Sequence, residues 1–225
     1  MFCPKTRKWN IGHSPASFYK GFNLSYTMKI EFKEGAFTLE RTPDELDKFV
    51  LDFINVLDRV DIKYVIVSGY VSILFGRSRN SEDVDLIIAP ITEQKFVSLW
   101  KALENFDCLN TDSSEEAYQK YLQGDIAIRF ARHNEAIPNM EIKLARIALD
   151  KWALDQRLPV VFNSIKLYVS PIELQIAYKL LLGSEKDIED ARHLYKLLEE
   201  YLDKQVLARF NRQFKVEELF RRYIE

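Results

Sequence analysis

The sequence Ser68-Gly69-Tyr70 and the later sequence Asp83-Val84-Asp85-Leu86-Ile87-Ile88 decide the fold of this chain, and thirteen residues separate Gly69 from Asp83. The apolar run Tyr64-Val65-Ile66-Val67 before them is rich in β-branched residues and predicts a buried strand. Gly69 permits a sharp turn, and the following residues up to Gly76 fit a short helix. Because residues i and i+2 of a strand point to the same face, Asp83 and Asp85 are predicted to project together from one edge of a sheet.

Two carboxylates placed this close repel each other, and a divalent cation is the usual reason for a fold to keep them together. Mg²⁺ takes oxygen ligands and shares one or two protein carboxylates with substrate phosphates. A lone Asp-x-Asp is more often a solvated strand start. The strand, turn and short helix before Asp83 favour a metal site instead, and we expect a phosphate to bind over the turn at Gly69, near the first amides of the helix.

This arrangement resembles the nucleotidyltransferase superfamily, whose signature is a hydrophobic residue, Gly-Gly or Gly-Ser, a spacer, and Asp-h-Asp-h, where h is hydrophobic. Val67-Ser68-Gly69 and Asp83-Val84-Asp85-Leu86 occupy those positions, with a long spacer and with Ser68 where the family usually has glycine. The stretch from Arg79 to Asp85 is similar to one branch, the AbiEii-type abortive-infection toxins. The resemblance implies that the phosphates of an NTP contact four residues of this block: Ser68, Gly69, Arg79 and Ser81.

A second block of the chain is similar to the later motifs of the same branch. Ser170-Pro171-Ile172-Glu173 predicts a helix start, with Ser170 as the N-cap and Glu173 completing a capping box. The resemblance makes Lys179, on this helix, a candidate for contact with NTP phosphates. Asp187 and Asp190, spaced i and i+3 at the start of the next helix, become candidates for positioning that lysine or the acceptor. Taken alone, the block would be a charged capping turn.

The superfamily generally carries a third carboxylate on a later strand. Residues 125–131 and 139–145 alternate polar and apolar side chains and predict two strands. In the second strand Glu141 and Lys143 share the face opposite Met140, Ile142 and Leu144. Glu141 is our choice for the third carboxylate, and Asp125 is the alternative.

The resemblance implies a reaction in which an acceptor hydroxyl attacks the α-phosphate of an NTP and pyrophosphate leaves. Asp83, Asp85 and Glu141 would hold Mg²⁺, with Mn²⁺ as a second option. Two such ions, about 3.5–4 Å apart, would stabilise the attacking and leaving oxygens of an in-line displacement.

The composition fits a cytoplasmic protein and excludes several other classes. The chain has 225 residues, of which 47% are hydrophobic and 29% charged, with no apolar run long enough for a membrane span. Two cysteines, Cys3 and Cys108, cannot form a disulfide framework, and three scattered histidines have no zinc-ligand spacing. The formal net charge of −2 gives no overall basic signature for nucleic acid. Arginines and aromatics alternate near the C-terminus, but this pattern favours an ordinary amphipathic helix over an RNA-binding surface.

We predict an α/β (α+β) fold with a mixed sheet and three regions. Residues 1–27 are poorly patterned and are predicted to be an N-terminal arm. Organised sequence begins at Met28, and by one interpretation translation also begins there. Residues 28–169 are predicted to form the catalytic domain, and residues 170–225 a helical C-terminal region. Within the catalytic domain the patterns predict a hairpin at 29–39 and strands near 63–67, 84–89, 125–131, 139–145 and 165–169. They also predict one helix that begins at Thr42-Pro43-Asp44-Glu45 and two more near 92–105 and 113–122.

The sequence leaves the acceptor open. The resemblance suggests a toxin-like role with RNA (the tRNA 3′ end) as acceptor and a cognate antitoxin as partner. A protein or small-molecule hydroxyl is the nearest alternative within enzymes. The alternative from another class is a catalytically lapsed domain that binds nucleotide or a partner protein without turnover, which Ser68 and the uncertain third carboxylate would allow.

Overall fold

A mixed β-sheet runs through the fold. The computed structural model describes residues 9–10 and 28–225, and within them ten strands form one sheet in the order β1-β2-β3-β9-β10-β4-β5-β8-β7-β6. The strands are β1 Trp9–Asn10, β2 Lys29–Lys33, β3 Ala36–Glu40, β4 Tyr64–Val67, β5 Asp83–Ile88, β6 Phe106–Cys108, β7 Ile128–Arg132, β8 Asn139–Leu144, β9 Leu158–Phe162 and β10 Ile165–Val169. Strand β5 lies antiparallel to β4 and parallel to β8, and β8 lies antiparallel to β7.

Helices cover both faces of this sheet. They are α1 Glu45–Arg59, α2 Gly69–Leu74, α3 Glu93–Ala102, α4 Ser114–Glu116 with a π-helical continuation over Ala117–Leu122, α5 Ala148–Asp155, α6 Ile172–Leu182, α7 Glu185–Leu198 with a 3₁₀ turn over Glu199–Tyr201, α8 Lys204–Phe214 and α9 Glu217–Tyr223. Among the described residues, no helix has both the length and the apolar character needed to cross a bilayer.

The described residues confirm most of the predicted elements and correct others. The predicted hairpin, strands β4, β5, β8 and β10, and the helical nature of the region after residue 170 are confirmed. The strand predicted at 125–131 begins only at Ile128, because the chain before it is still turning, with the amide of Ile126 donating to the carbonyl of Tyr121. Strands β6 and β9 and helix α5 were not predicted. Apart from β1, the predicted N-terminal arm lies outside the described residues.

The predicted capping box at Ser170 is wrong. Helix α6 begins at Ile172 after Pro171, with no side-chain cap. The Ser170 amide instead donates to the carbonyl of Ile66 at 2.8 Å, which extends the pairing of β10 with β4. The Glu173 carboxylate accepts a hydrogen bond from the Asp203 amide at 2.8 Å, at the N-cap of α8. Ser170 therefore ends a strand rather than starting a helix.

The two faces of the sheet have different cores. On one face, Val84, Leu86 and Ile142 belong to the large core that includes the apolar stripe of α1. On the other face, Val65 and Ala145 pack with α5, α6 and α8 in a smaller cluster. The odd-numbered residues of β5 lie on this second face, since Ile87 packs against the smaller cluster. The second face therefore carries Asp83 and Asp85, next to the part that the C-terminal helices cover.

A buried charge fixes the start of α1. The carboxylate of Asp47 is fully buried, accepts hydrogen bonds from the amide of Asp44 at 2.9 Å and the hydroxyl of Tyr70 at 2.8 Å, and pairs with Arg41. Asp44 is the N-cap of α1 and completes a capping box with Asp47. Tyr70 lies on α2, so this network connects the first long helix to the helix that follows the Gly69 turn.

We predict that Asp47→Asn lowers the free energy of unfolding by about 3 kcal/mol, because it leaves the Arg41 charge without its buried partner. Urea unfolding followed by circular dichroism measures the change. The control is Glu45→Gln, which removes an exposed pair with Lys48 on the same helix and should leave the unfolding midpoint unchanged. Equal midpoints for the two variants would show that the buried network contributes nothing.

Candidate active site

Four strands bring one row of side chains together on the second face of the sheet. Val67 of β4 pairs with Asp85 of β5, Asp85 with Glu141 of β8, and Glu141 with Arg129 of β7. In the next row towards the start of β5, Asp83 lies opposite Asn139. The predicted carboxylates Asp83, Asp85 and Glu141 are thus neighbours, because β5 and β8 are parallel and in register.

Asp85 lies at the centre of this group. Its burial raises the pKa of the carboxyl, and the negative charges of Asp83 and Glu141 raise it further. Hydrogen bonding to the Ser68 side chain and the nearby Lys143 charge oppose the shift. Asp83, at the exposed start of β5, receives support from Ser81, whose hydroxyl donates to the Asp83 carbonyl at 3.0 Å. The crowding that the sequence predicted for the two aspartates is therefore present.

Glu141 has two cationic partners that sequence reasoning missed. Arg129 donates to its Oε2 from Nε at 3.0 Å and from Nη2 at 2.7 Å, and Lys143 Nζ lies 2.9 Å from its Oε1. Burial raises the pKa of Glu141, but the hydrogen bonds from Lys143 and Arg129 outweigh it, and the pKa is lowered. Lys143 was visible as the residue two positions after Glu141, whereas Arg129 depends on the register of β7 with β8.

Asp125, the alternative third carboxylate, is excluded by its position. It precedes β7 in a left-handed conformation with φ of 61°, and its exposed side chain pairs with Arg146 at 3.3 Å. The choice of Glu141 over Asp125 is therefore supported by geometry, although whether Glu141 binds metal stays a prediction.

The turn between β4 and α2 has an unusual backbone. Ser68 adopts φ of 62° and ψ of −131°, a conformation that favours glycine. This explains physically why a glycine would fit the position. Gly69 then begins α2 and is buried.

Arg79 lies directly over Gly69. A Cβ atom added to Gly69 would clash with Nη2 of Arg79 and lie 3.2 Å from its Cζ and 3.5 Å from the Ser81 hydroxyl. Any larger residue at position 69 would therefore displace the guanidinium. Gly69, Arg79 and Ser81, three of the four residues of the first sequence block that were predicted to contact phosphate, are in this way brought together beside Ser68.

The second sequence block holds Arg79 in place. Nε of Arg79 lies 3.2 Å from Oδ2 of Asp190, and Lys179 Nζ lies 2.8 Å from the same oxygen and 3.3 Å from Oδ1 of Asp187. Asp190 is fully buried, and Arg77 approaches its other oxygen at 3.5 Å. The two blocks that are distant in sequence thus form one charged cluster.

Lys179 faces carboxylates rather than the cleft. Only 1% of its side chain is exposed, and its ammonium contacts Asp187 and Asp190. In this conformation it does not reach a phosphate, so the predicted phosphate contact does not fit its position. The geometry agrees with the other prediction for this block, that Asp187 and Asp190 position the lysine.

A polar cavity of about 350 Å³ opens beside Asp83. It lies on the side of β5 towards β8 and β7, away from α2. The Asn110 side chain accepts from the amide of Arg129 at 2.8 Å, which connects the segment after β6 to β7. The residues that line the cavity are Glu82, Asp83, Leu109, Asn110, Arg129 and Asn139.

The carboxylates of Asp83 and Asp85 offer free oxygens on one strand face and suit a hard cation such as Mg²⁺. Both oxygens of Glu141 already have cationic partners, with two Arg129 donors on Oε2 and Lys143 on Oε1, so an acceptor site is left on Oε1 alone. Within residues 28–225, no three His, Cys, Asp or Glu side chains are arranged to hold a metal ion. The donor set therefore fits one ion at Asp83 and Asp85.

Comparisons with solved structures identify the fold. An antigenic nucleotidyltransferase-like protein from Paracoccidioides brasiliensis superimposes with a TM-score of 0.51 at 19% identity, over 81% of this chain and 93% of that one. The fold is that of a nucleotidyltransferase-like protein. The predicted mixed α/β class with a C-terminal helical region is thereby confirmed.

Two further structures are similar over part of their length. A CCA-adding enzyme with ATP has a TM-score of 0.35 at 11% identity, over 78% of this chain and 52% of that one. A tRNA nucleotidyltransferase with a primer tRNA and an ATP analogue has a TM-score of 0.30 at 15% identity, over 76% and 60%. Both TM-scores are too low to support an argument. No protein-family profile and no curated protein matches the chain, so the AbiEii-type branch stays a prediction.

We predict that Ser68→Gly raises the free energy of unfolding by about 1 kcal/mol, because glycine adopts the Ser68 backbone conformation without strain. Chemical denaturation measures the difference. The control, Ser98→Gly on the exposed face of α3, should instead cost about 0.5–1 kcal/mol through helix propensity. A loss of stability in both variants would argue against strain at Ser68.

Proposed function

We propose that this chain is a Mg²⁺-dependent nucleotidyltransferase that transfers a nucleoside monophosphate from an NTP to a hydroxyl of a macromolecular acceptor. The observation that carries the proposal is the placement of Asp83 and Asp85 on one strand face, beside the Gly69 turn. In the reaction, the acceptor hydroxyl loses its proton to solvent, its oxygen forms a bond to the α-phosphorus, and the bond from the α-phosphorus to the leaving pyrophosphate breaks. Mg²⁺ bound by Asp83 and Asp85 would neutralise the charge on the phosphates.

The phosphates would lie on the α2 side of the two aspartates. The backbone at Ser68 and Gly69 turns towards the start of α2, and the guanidinium of Arg79 covers the glycine. The guanidinium supplies several N–H donors to phosphate oxygens. Its pairing with Asp190 fixes its direction, so little ordering is needed when phosphate binds.

The acceptor would approach from the opposite side, through the cavity beside Asp83. Arg129, Asn110 and Asn139 line this cavity and offer a cation and amides. These groups suit the phosphates and hydroxyls of a nucleic-acid terminus. We therefore propose RNA, with a tRNA 3′ end as the specific candidate, as the acceptor. The toxin-like role and a cognate antitoxin stay predictions from the sequence resemblance.

One observation favours a second candidate function. Both oxygens of Glu141 are paired with Arg129 and Lys143, and Ser68 occupies a conformation that favours glycine. A domain that binds NTP without transferring it would be consistent with these two departures. Metal-dependent NTP binding without release of pyrophosphate would identify this function.

We predict that Asp83→Asn abolishes transfer without unfolding the protein, because it removes an exposed metal ligand. The assay incubates the full-length chain with Mg²⁺ and α-labelled ATP, CTP, GTP or UTP, together with total RNA and protein from a cell extract. Label in an RNA band that the variant loses would support the proposal, and label in a protein band would move the acceptor to a protein hydroxyl.

The matched control is Asp155→Asn, an exposed aspartate that pairs with Lys63 on the surface. It should transfer label at the wild-type rate. Wild-type transfer by Asp83→Asn would contradict the assignment of the site.

We predict that Gly69→Ala raises the KM for NTP about tenfold or more with little change in melting temperature. The new methyl group displaces the flexible end of Arg79 rather than backbone, so a phosphate contact is lost while the fold is kept. Steady-state kinetics and thermal melting separate the two effects. An unchanged KM would mean that Arg79 does not contact the triphosphate.

A further inference from the structure

We propose that this site works with one divalent ion, at Asp83 and Asp85, and that Arg129 and Lys143 supply at Glu141 the positive charge that a second ion would bring. The inference rests on the proposed function and specifies its metal requirement. It departs from the two-ion arrangement that the sequence resemblance implies, because the third carboxylate is already occupied by cations of the chain itself.

The contacts of Glu141 leave an acceptor site on only one of its oxygens, Oε1, and that oxygen already pairs with a cation. Two N–H groups of Arg129 converge on Oε2, at 3.0 and 2.7 Å, and Lys143 Nζ lies 2.9 Å from Oε1. Only 11% of the Glu141 side chain is exposed. A divalent ion at Glu141 would therefore lie beside the positive charges of Arg129 and Lys143, which repel it.

The strands hold these two cations in place. Arg129 pairs with Glu141 across β7 and β8, and its backbone N–H and C=O are bonded to Asn110 and Leu109. Lys143 follows Glu141 by two residues on the same strand, so both side chains emerge on the same face. The strands therefore determine the positions of both cations, and these positions do not depend on a mobile loop.

With one divalent ion, the site also reaches the same net charge as three unpaired carboxylates with two divalent ions. Three carboxylates and two cations leave one net negative charge, and one divalent ion changes it to one net positive charge. Two divalent ions on three unpaired carboxylates would give the same result. Before the triphosphate binds, a second divalent ion added to the present site would leave three net positive charges in a small volume, which mutual repulsion disfavours.

In the reaction, Lys143 and Arg129 lie where developing negative charge on the phosphate and the acceptor oxygen can be stabilised. The charge of Lys143 interacts with that of Asp85, one of the two proposed metal ligands. Arg129 lines the cavity by which the acceptor would enter. The side chains of Arg129 and Lys143 are about half exposed, so both can contact substrate while paired with Glu141.

The first test counts ions. Mn²⁺ bound to the full-length chain is measured by electron paramagnetic resonance, in the presence of each non-hydrolysable α,β-methylene NTP in turn. We expect one Mn²⁺ per chain, lost in Asp83→Asn and kept in Glu141→Gln. Two Mn²⁺ per chain, with one lost in Glu141→Gln, would overturn the inference.

The second test compares variants with opposite expectations. If the cations replace the second ion, Lys143→Met and Arg129→Gln each lower kcat about 100-fold, whereas Glu141→Gln lowers it about tenfold at most. Lys143→Arg and Arg129→Lys should recover part of the activity because they keep the charge. If Glu141 binds a second ion instead, Glu141→Gln abolishes transfer and the two cation variants leave it unchanged or raise it.

Arg132→Gln is the matched control, since Arg132 lies on the same strand as Arg129 but pairs with Asp52 at the surface. It should keep wild-type kcat. The two proposals fail separately. Absence of transfer with every NTP contradicts the proposed function, and the Mn²⁺ count still decides the inference. Transfer that needs Glu141 and two ions contradicts the inference alone.

Discussion

The parallel, in-register pairing of β5 with β8 is the constraint on which the candidate site depends. It places Glu141 next to Asp85 and Asn139 next to Asp83, so three carboxylates share one face of the sheet. Their repulsion has to be offset, and burial of Asp85 makes that more demanding. Arg129 and Lys143 offset it at Glu141, while the two aspartates stay without such partners. The site thus has one part in which two cations of the chain exceed the charge of Glu141 and another in which Asp83 and Asp85 have no paired cation.

A second constraint connects the helical region to the turn at Gly69. Lys179 and Arg79 share one oxygen of the buried Asp190, so α6, α7 and the segment before β5 are fixed relative to one another. An isolated buried carboxylate would be costly, and the surrounding cations remove most of that cost. Because Arg79 also lies over Gly69, a change in the packing of α7 would be transmitted to the place where phosphate is proposed to bind.

Local signals explain what could be predicted from the sequence. The β-branched run before Gly69 and the spacing of Asp83 and Asp85 are patterns among neighbouring residues. They were therefore sufficient to predict β4, the turn and β5. Arg129 was missed because its position opposite Glu141 depends on a strand register that no local pattern encodes. Strand β9 was missed because it contains Pro159. Its pairing with β3 begins only at Val160, so the missing N–H of the proline removes no bond there. Lys179 became a phosphate candidate through the resemblance of its block to the later motifs of the superfamily, whereas its burial against Asp187 and Asp190 is visible only in the structure.

The two departures from the superfamily pattern do not by themselves require loss of activity. Ser68 strains the turn, yet its side chain opposes the rise in the pKa of Asp85, which glycine could not do. Glu141 is paired with Arg129 and Lys143, and these two groups carry the kind of charge that a metal ion would bring. A lapsed site would be expected to lose charged residues, because unpaired charges cost stability and no function would retain them. Here Asp83, Asp85 and Glu141 share one face of the sheet, and the charge of Glu141 is paired with two cations, Arg129 and Lys143.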